Sequence, residues 1–214
     1  MFISLTPLYA DGGKEKEPLR ISAVGDSITW GFGLENRRDN SWPGVLENLA
    51  SGSLEVGNFG RNGANLTERG DRPYRETLPY ARAVDFDGSI VVIALGTNDT
   101  KIGNRIFLDT FKEDYLSLIE SFRQGEKDRE IYLCLPPPLF DNRWGMEENL
   151  LEKCLIPLIG EIANEADCDL IDLYHPLLDR EQFFPDGVHP DVRGARIIGE
   201  VIYKALKESS EKFN

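Results

Sequence analysis

The sequence predicts an α/β fold built around a parallel sheet. Short apolar runs of strand length alternate along the chain with longer segments in which apolar residues recur every three or four positions. One run, Ile90 to Leu95, has no polar alternation at all, which is typical of a central parallel strand covered on both faces. Strands and helices that alternate in this way form doubly wound sheets.

The predicted elements follow from these two periodicities. The apolar runs predicted as strands are Arg20 to Val24, Leu54 to Phe59, Ile90 to Leu95, Ile131 to Leu135 and Leu170 to Leu173. The segments with amphipathic helical spacing are Pro43 to Leu49, Phe107 to Phe122, Glu147 to Ala166 and Val192 to Leu206. On the second of these helices, Tyr115, Leu116, Leu118 and Ile119 are predicted to face the core.

Length and composition suit one domain, since the chain has 214 residues of which 41% are hydrophobic. We predict that residues 18–214 form it. Residues 1–17 start apolar and become polar, which predicts a disordered segment or the remnant of a signal peptide and favours export to the periplasm or the cell exterior over the cytoplasm. No other segment has the apolar length of a membrane span. The oligomeric state stays open.

Charge and residue counts argue against several classes of function. The net charge of −13 would repel a phosphate backbone, so nucleic acid is not an expected partner. The two histidines fall in no His-Glu-x-x-His motif and the three cysteines in no Cys-x-x-Cys motif, so no metal site is predicted. Cys134 lies in an apolar run and is expected to be a buried free thiol, and we expect no structural disulfide.

Residues that could take part in catalysis or ligand binding follow the ends of the predicted strands. In open parallel sheets, ligands bind outside the carboxyl ends of the strands. These residues are Ser27 after the first strand, Gly60 and Gly63 after the second, Asn98 after the third, and Asp186 with His189 after the fifth. All of them can therefore meet at one edge of the sheet.

Three of these residues could form a catalytic triad. A serine hydroxyl needs a neighbouring base to take its proton, and the base needs a partner that holds its tautomer. Asp186 and His189 are three positions apart, so they can present a carboxylate and an imidazole side by side to Ser27. The alternative is that Asp186 belongs to an ordinary turn and His189 is a structural residue at a helix start.

A second Asp-x-x-His-Pro pattern competes with the first. Asp172 and His175 have the same spacing and directly follow the fifth predicted strand, a common place for a structural histidine. His189 is favoured as the base because its copy of the motif contains the flexible Gly187 and precedes a helix.

Asn98 is a candidate to stabilise developing negative charge. It lies in Gly96-Thr97-Asn98-Asp99 after the strongest strand, and its amide could donate to an oxyanion. The alternative is a simple turn. A glycine amide after the second strand and the Ser27 amide would add two donors, and both Gly60 and Gly63 could supply the former.

The loop from Gly25 to Gly33 also suits a different class of protein. Its small and hydroxyl residues could cradle a phosphate, so a nucleotide-binding or flavin-binding module is a rival interpretation. That interpretation gives Asp186 and His189 no function. No Gly-x-Ser-x-Gly nucleophile elbow is present.

Four segments, taken in order, resemble the SGNH or GDSL-type hydrolase family over roughly residues 20–206. They are Gly25-Asp26-Ser27, Gly63, Gly96-Thr97-Asn98-Asp99 and Asp186 to His189. The resemblance implies a flavodoxin-like three-layer α/β/α sandwich with a five-stranded parallel sheet in the order 2-1-3-4-5. It also implies a triad of Ser27, Asp186 and His189, an oxyanion hole of Ser27, Gly63 and Asn98, and no cofactor.

The resemblance extends to a substrate class. Asn58-Phe59-Gly60, Pro136-Pro137-Pro138 and Phe184 to Pro190 are similar to segments of bacterial carbohydrate or sialate O-acetylesterases. The expected substrate is therefore a short acyl ester, an acetyl group on a sugar. A lysophospholipase, thioesterase or aryl esterase on the same fold is an alternative, as is a non-catalytic sugar-binding protein.

Four residues are candidates for substrate contacts. They are Asp26, Trp30, Arg143 and Trp144. Aromatic faces pack on sugar rings or acyl chains, and an arginine can hold a carboxylate. Trp42, which precedes Pro43 at a predicted helix start, is expected to anchor the core instead.

Overall fold

A five-stranded parallel sheet forms the centre of the protein. The computed structural model describes residues 17–124, 128–141, 144–210 and 212–213, so the predictions for residues 1–16 and for Arg143 lie outside the described residues. The strands run β1 (Leu19–Gly25), β2 (Leu54–Gly60), β3 (Ile90–Ala94), β4 (Glu130–Leu135) and β5 (Asp169–Asp172). Their spatial order is β2-β1-β3-β4-β5, which confirms the predicted flavodoxin-like topology.

Helices connect the strands. They are α1 (Ser27–Trp30), α2 (Arg37–Asn40), α3 (Trp42–Leu49), α4 (Leu78–Phe86), α5 (Phe111–Arg123), α6 (Glu148–Leu150), α7 (Ile156–Glu165) and α8 (Val192–Ser209). In the part of the chain that the structure describes, no helix combines the length and apolar character needed to cross a bilayer.

Two separate apolar cores make the fold a three-layer sandwich. On β3, Val91 and Ile93 belong to the core shared with α4, α5 and α7, whereas Ile90 and Val92 belong to the core shared with α3 and α8. Successive side chains of a strand point to opposite faces, so β3 is buried on both sides as predicted. Trp42 is the expected core anchor, since it is 1% exposed and donates its indole N–H to Thr29 Oγ1 at 3.1 Å.

Strand register brings the loops of the site together. Gly25, the last residue of β1, pairs with Gly60 on one side and with Ala94 on the other, so three strands end at the same level. A Cβ on Gly25 would lie 2.7 Å from the Ala94 carbonyl oxygen and 2.1 Å from Thr29 Oγ1. Only glycine therefore allows α1 to turn back tightly over the end of β1.

Candidate active site

Ser27 lies at the first position of α1, directly after β1. Asp26 caps the helix by accepting a hydrogen bond from the Ile28 amide at 2.8 Å. The helix ends after one turn at Gly31, whose φ of 86° is left-handed, and the amides of Gly31 and Phe32 both donate to the Ser27 carbonyl. This short turn, fixed at both ends, holds Ser27 at the edge of the sheet.

Asp186 and His189 are held together by a tight turn. One carboxylate oxygen of Asp186 accepts the amides of Val188 at 3.0 Å and His189 at 2.7 Å. Its other oxygen lies 2.7 Å from His189 Nδ1. Two residues later, Asp191 caps α8 by accepting from Arg193 and Gly194 amides. The imidazole is therefore oriented by a carboxylate and anchored by a long helix.

The structure brings Ser27 and His189 within hydrogen-bond distance. His189 Nε2 lies 2.8 Å from Ser27 Oγ, although 162 residues separate them along the chain. Burial alone would raise the pKa of Asp186, but the hydrogen bonds that it accepts from His189 and Val188 outweigh burial and lower that pKa. An ionised carboxylate thus faces the imidazole, which in turn faces the hydroxyl.

The competing histidine has the same local geometry but no serine. Asp172 accepts the Tyr174 and His175 amides on one oxygen, and its other oxygen lies 2.7 Å from His175 Nδ1. The His175 side chain is 64% exposed, and its Nε2 has no hydrogen-bond partner within the described ranges. The two motifs therefore differ in one contact: His189 Nε2 lies beside the Ser27 hydroxyl, whereas the His175 side chain faces solvent.

Asn98 and Asp26 are linked beneath this site. The Asn98 side-chain amide donates to Asp26 Oδ2 at 3.2 Å, and both residues are 1% exposed. Burial raises the pKa of Asp26 to about 6, although the hydrogen bond from Ile28 opposes that rise. Asp26 was a candidate for substrate contact. The structure instead places it under the site, where both of its oxygens accept internal hydrogen bonds.

Gly60 and Gly63 have different surroundings. The Gly60 amide donates to Asn58 Oδ1 at 3.0 Å, and a Cβ on Gly60 would lie 2.1 Å from the Trp30 backbone nitrogen. Gly63 has a left-handed φ of 76°, and its amide donates no hydrogen bond to any described residue. Of the two amides, that of Gly63 is the one available to a ligand.

Asp99 fixes the loop that carries Gly63. Its carboxylate accepts the Leu66 amide at 2.8 Å, the Thr67 amide at 2.9 Å and the Thr67 hydroxyl at 2.9 Å. Burial raises the pKa of Asp99 to about 6, against the effect of these hydrogen bonds. The turn after β3 is thereby tied to the loop after β2.

A cleft of about 430 Å³ opens beside His189, between residues 32–35 and residues 185–192. The Phe32 ring lies 4.4 Å from the imidazole, centroid to centroid. The Trp144 ring, whose residue is 45% exposed, lies 5.8 Å from the His189 imidazole, centroid to centroid. Phe32 was not predicted as a site residue, because its place beside His189 depends on the tight turn at Gly31.

Trp30, a predicted substrate contact, does not line the cleft beside His189. The Arg37 guanidinium group lies over the Trp30 ring, 3.7 Å from the ring centroid.

No metal centre is evident within the described ranges. No group of three or more His, Cys, Asp or Glu side chains there is arranged to hold a metal ion. The three cysteines are free, and Cys134 is buried as expected.

Comparison with known proteins shows the family of this chain. A model of the GDSL-like lipase/acylhydrolase family matches residues 23–197. The chain belongs to the GDSL-like lipase/acylhydrolase family.

Individual relatives include esterases. The chain is 30% identical over 211 residues to an acetylxylan esterase of Xylanibacter ruminicola, a match that covers 90% of this chain and 44% of that protein. It therefore spans less than half the length of this curated relative. Among solved structures, a lipase/acylhydrolase from Enterococcus faecalis has a TM-score of 0.70 at 23% identity, with 89% and 96% of the chains covered. An acetyl xylan esterase has a TM-score of 0.69 at 20% identity, with 88% and 100% covered. These two structures share the fold.

Proposed function

We propose that this protein is a serine ester hydrolase in which Ser27 is the nucleophile, His189 the general base and Asp186 the residue that orients the base. The observation that carries the proposal is the 2.8 Å separation between Ser27 Oγ and His189 Nε2. A hydroxyl becomes nucleophilic at neutral pH when a positioned imidazole takes its proton. Membership of the GDSL-like lipase/acylhydrolase family supports the same chemistry.

The reaction proceeds by two acyl transfers. His189 takes the Ser27 proton as Oγ attacks the ester carbonyl, and the tetrahedral intermediate carries the negative charge on the former carbonyl oxygen. Collapse of this intermediate breaks the bond to the alcohol, which leaves with the proton from His189. Water then repeats the sequence on the acyl-enzyme, and the acid is released as Ser27 recovers its proton.

Three donors would stabilise the oxyanion. They are the Ser27 amide, the Gly63 amide and the Asn98 side-chain amide. The first two donate no hydrogen bond to any described residue, so they can donate to a substrate oxygen without breaking an existing contact. Losing one such donor typically costs about a hundredfold to a thousandfold in rate.

The proposed substrate is an acetyl ester on a carbohydrate. The acetylxylan esterase relative supports this choice by its name. The aromatic side chains near His189 also support it. Phe32 lines the cleft beside His189, and the Trp144 ring lies 6.1 Å from the Phe32 ring, centroid to centroid, so both offer surfaces on which a sugar ring or a short acyl group can pack.

Replacement of the nucleophile tests the proposal directly. Wild-type protein should react with a fluorophosphonate probe and hydrolyse p-nitrophenyl acetate, whereas Ser27→Ala should do neither. Acetate release from a panel of acetylated sugars and short lipid esters then identifies the substrate class. Undiminished turnover in Ser27→Ala would refute the proposal.

The two histidines provide a matched pair. His189→Ala should lower kcat on p-nitrophenyl acetate by at least about a thousandfold, because among the described residues no other base forms a hydrogen bond with the Ser27 hydroxyl. His175→Ala removes an exposed imidazole with the same Asp partner geometry and should leave kcat near the wild-type value. Equal losses in the two variants would contradict the assignment.

A further inference from the structure

A basic cleft lies on the Gly63 side of the proposed catalytic residues. Two adjoining cavities of about 480 Å³ and 540 Å³ share Trp30, Gly60, Pro79 and Arg82 in their walls. We call this surface the arginine cleft. Its five arginines are Arg37, Arg38, Arg61, Arg72 and Arg82.

These arginines lack acidic partners in the part of the chain that the structure describes. None of the five forms an ion pair there. Many other arginines do, among them Arg20, Arg75, Arg105, Arg129, Arg193 and Arg196. The chain has a net charge of −13 and so offers many carboxylates, yet none of those in the described ranges pairs with these five exposed guanidinium groups, and Arg37 lies over the Trp30 ring instead. The guanidinium groups are therefore available to pair with the negative charge of a ligand.

The carboxylates within the arginine cleft do not cancel its charge. Glu47, Asp71 and Glu76 also line it, which leaves five positive charges against three negative charges. Two of the three carboxylates already accept hydrogen bonds. Glu47 accepts from the Val56 amide at 3.2 Å, and Asp71 accepts from the Asn104 side chain at 2.8 Å.

One arginine of the arginine cleft lies close to the proposed oxyanion donor Gly63. Arg72 donates to the Asn62 carbonyl at 2.8 Å, and a Cβ built on Gly63 would lie 3.0 Å from the same guanidinium group and 3.8 Å from Lys101 Nζ. At its other end, Trp30 belongs to the helix that Ser27 begins. The arginine cleft therefore adjoins the loop that carries Gly63 and the helix that carries Ser27.

The cleft beside His189 has the opposite character. Apolar residues and the carboxyl groups of Glu35, Asp186 and Asp191 line it, and no arginine or lysine is among its lining residues. An anionic group on a bound substrate would be repelled from that side and attracted to the arginine cleft. The two sides of the site thus distinguish the two ends of a charged substrate.

We propose that the arginine cleft binds the carboxylate of a uronic acid unit in the glycan chain that carries the acetyl ester. This inference rests on the proposed function for the ester itself. A planar guanidinium group matches a carboxylate in a bidentate arrangement. Two adjoining cavities have room for a sugar ring beside the anion. The net charge of −13 makes a nucleic acid an unsuitable source of the anion.

Binding without hydrolysis gives the first test. Isothermal titration would compare a xylo-oligosaccharide that carries glucuronic acid with the same oligosaccharide without it, both free of acetyl groups, and inorganic phosphate as a separate arm. The acidic oligosaccharide should bind about tenfold more tightly, since the guanidinium groups are exposed. Screening at 0.5 M NaCl should remove most of this preference. Phosphate that binds as tightly as the acidic oligosaccharide would overturn the proposal.

Variants locate the effect. In the double variant Arg61→Gln/Arg82→Gln, the ratio of the Kd for the neutral oligosaccharide to the Kd for the acidic oligosaccharide should fall from about ten to about one. Arg196→Gln serves as the matched control, because Arg196 lies outside the cleft and pairs with Glu200, and it should keep the preference. A preference unchanged in the double variant would overturn the proposal.

Turnover separates this inference from the proposed function. The ratio of kcat/KM between acetylated acidic and acetylated neutral oligosaccharides should fall about tenfold in the double variant. Wild-type protein that releases acetate equally well from both substrates would overturn the uronate proposal and leave the esterase proposal intact. A protein that binds the acidic oligosaccharide but releases no acetate from any ester would overturn the esterase proposal and support the anion site.

Discussion

Asp26 connects α1, the helix that begins at the proposed nucleophile Ser27, with the side-chain amide of Asn98, a proposed oxyanion donor. Its Oδ1 accepts the Ile28 amide at 2.8 Å and its Oδ2 accepts the Asn98 side chain at 3.2 Å. The Asn98 amide therefore points its nitrogen towards this carboxylate in a defined orientation. A residue that acts in this way is a positioning residue, since it touches Asn98 and not the reacting atoms.

Asp26→Asn tests this positioning role. An asparagine keeps only one of the two acceptor oxygens, so its NH2 group must face either the Asn98 amide or the Ile28 amide as donor against donor. One of the two contacts that position Asn98 and α1 is therefore lost. We expect kcat on p-nitrophenyl acetate to fall about tenfold to a hundredfold with a small change in KM, less than for outright loss of a donor. Asp39→Asn alters an exposed carboxylate that accepts from Asn36 and serves as the control. An unchanged kcat in folded Asp26→Asn would contradict this role.

At the residue level, the sequence predicted local geometry better than long-range geometry. Both Asp-x-x-His motifs fold into the same turn, with 2.7 Å between carboxylate and imidazole, because the whole contact is made within four consecutive residues, two of whose amides donate to the carboxylate. Which imidazole reaches Ser27 depends on the path of the whole chain. The place of Phe32 beside His189 and the burial of Asp26 are likewise tertiary, so neither was predicted.

At the level of elements, Gly60 sets the distance between β2 and α1. A Cβ at this position would lie 2.1 Å from the Trp30 nitrogen and 2.6 Å from its Cα, and backbone atoms cannot give way as a flexible side chain can. Gly60→Ala must therefore push α1, with Ser27 at its start, away from the sheet.

We expect Gly60→Ala to lower the free energy of unfolding by about 1–3 kcal/mol or more, as overpacking does, and to lower kcat at the same time. Gly103→Ala is the matched control, because a Cβ on Gly103 meets nothing within 4 Å. Urea unfolding and p-nitrophenyl acetate turnover measure both effects. Equal stability of the two variants would show that α1 can adjust without cost.

The strands were easier to predict than the helices. All five strands agree with the apolar runs to within one residue at each end, since buried parallel strands leave a dense apolar signal. Helix α4 was missed because Ala83 is its only buried residue, so it shows little apolar periodicity. The helix predicted from Glu147 to Ala166 is interrupted by a π-helical turn at Leu151–Leu155, and periodicity cannot reveal such a local change.

At the level of the whole molecule, two pairs of carboxyl groups with pKa values shifted in opposite directions determine how the free energy of unfolding depends on pH. Burial raises the pKa values of Asp26 and Asp99 from 3.8 to about 6. Between about pH 4 and pH 6, the folded protein keeps protons that the unfolded chain has released. The free energy of unfolding should therefore fall as pH rises through this window.

Asp186 and Asp191 act at lower pH and in the opposite sense. Burial opposes the shift in both cases, but hydrogen bonds, from His189 to Asp186 and from Arg193 to Asp191, lower the two pKa values below 3.8. Their stabilising contribution is complete above that value and is lost as pH falls through their folded-state pKa values. Together the two groups predict that the free energy of unfolding is greatest near pH 4 and falls from there towards pH 6.

Urea unfolding at pH 5.0, 6.0 and 7.5 tests this expectation. The free energy of unfolding should be largest at pH 5.0. Repulsion within a chain of net charge −13 would also weaken as carboxylates become protonated, so it would produce the same trend. Salt separates the two causes, because 0.5 M NaCl screens surface repulsion but hardly affects buried carboxyls. A decline towards pH 7.5 that persists in salt supports the role of Asp26 and Asp99, whereas a decline that salt abolishes would assign the effect to net charge alone.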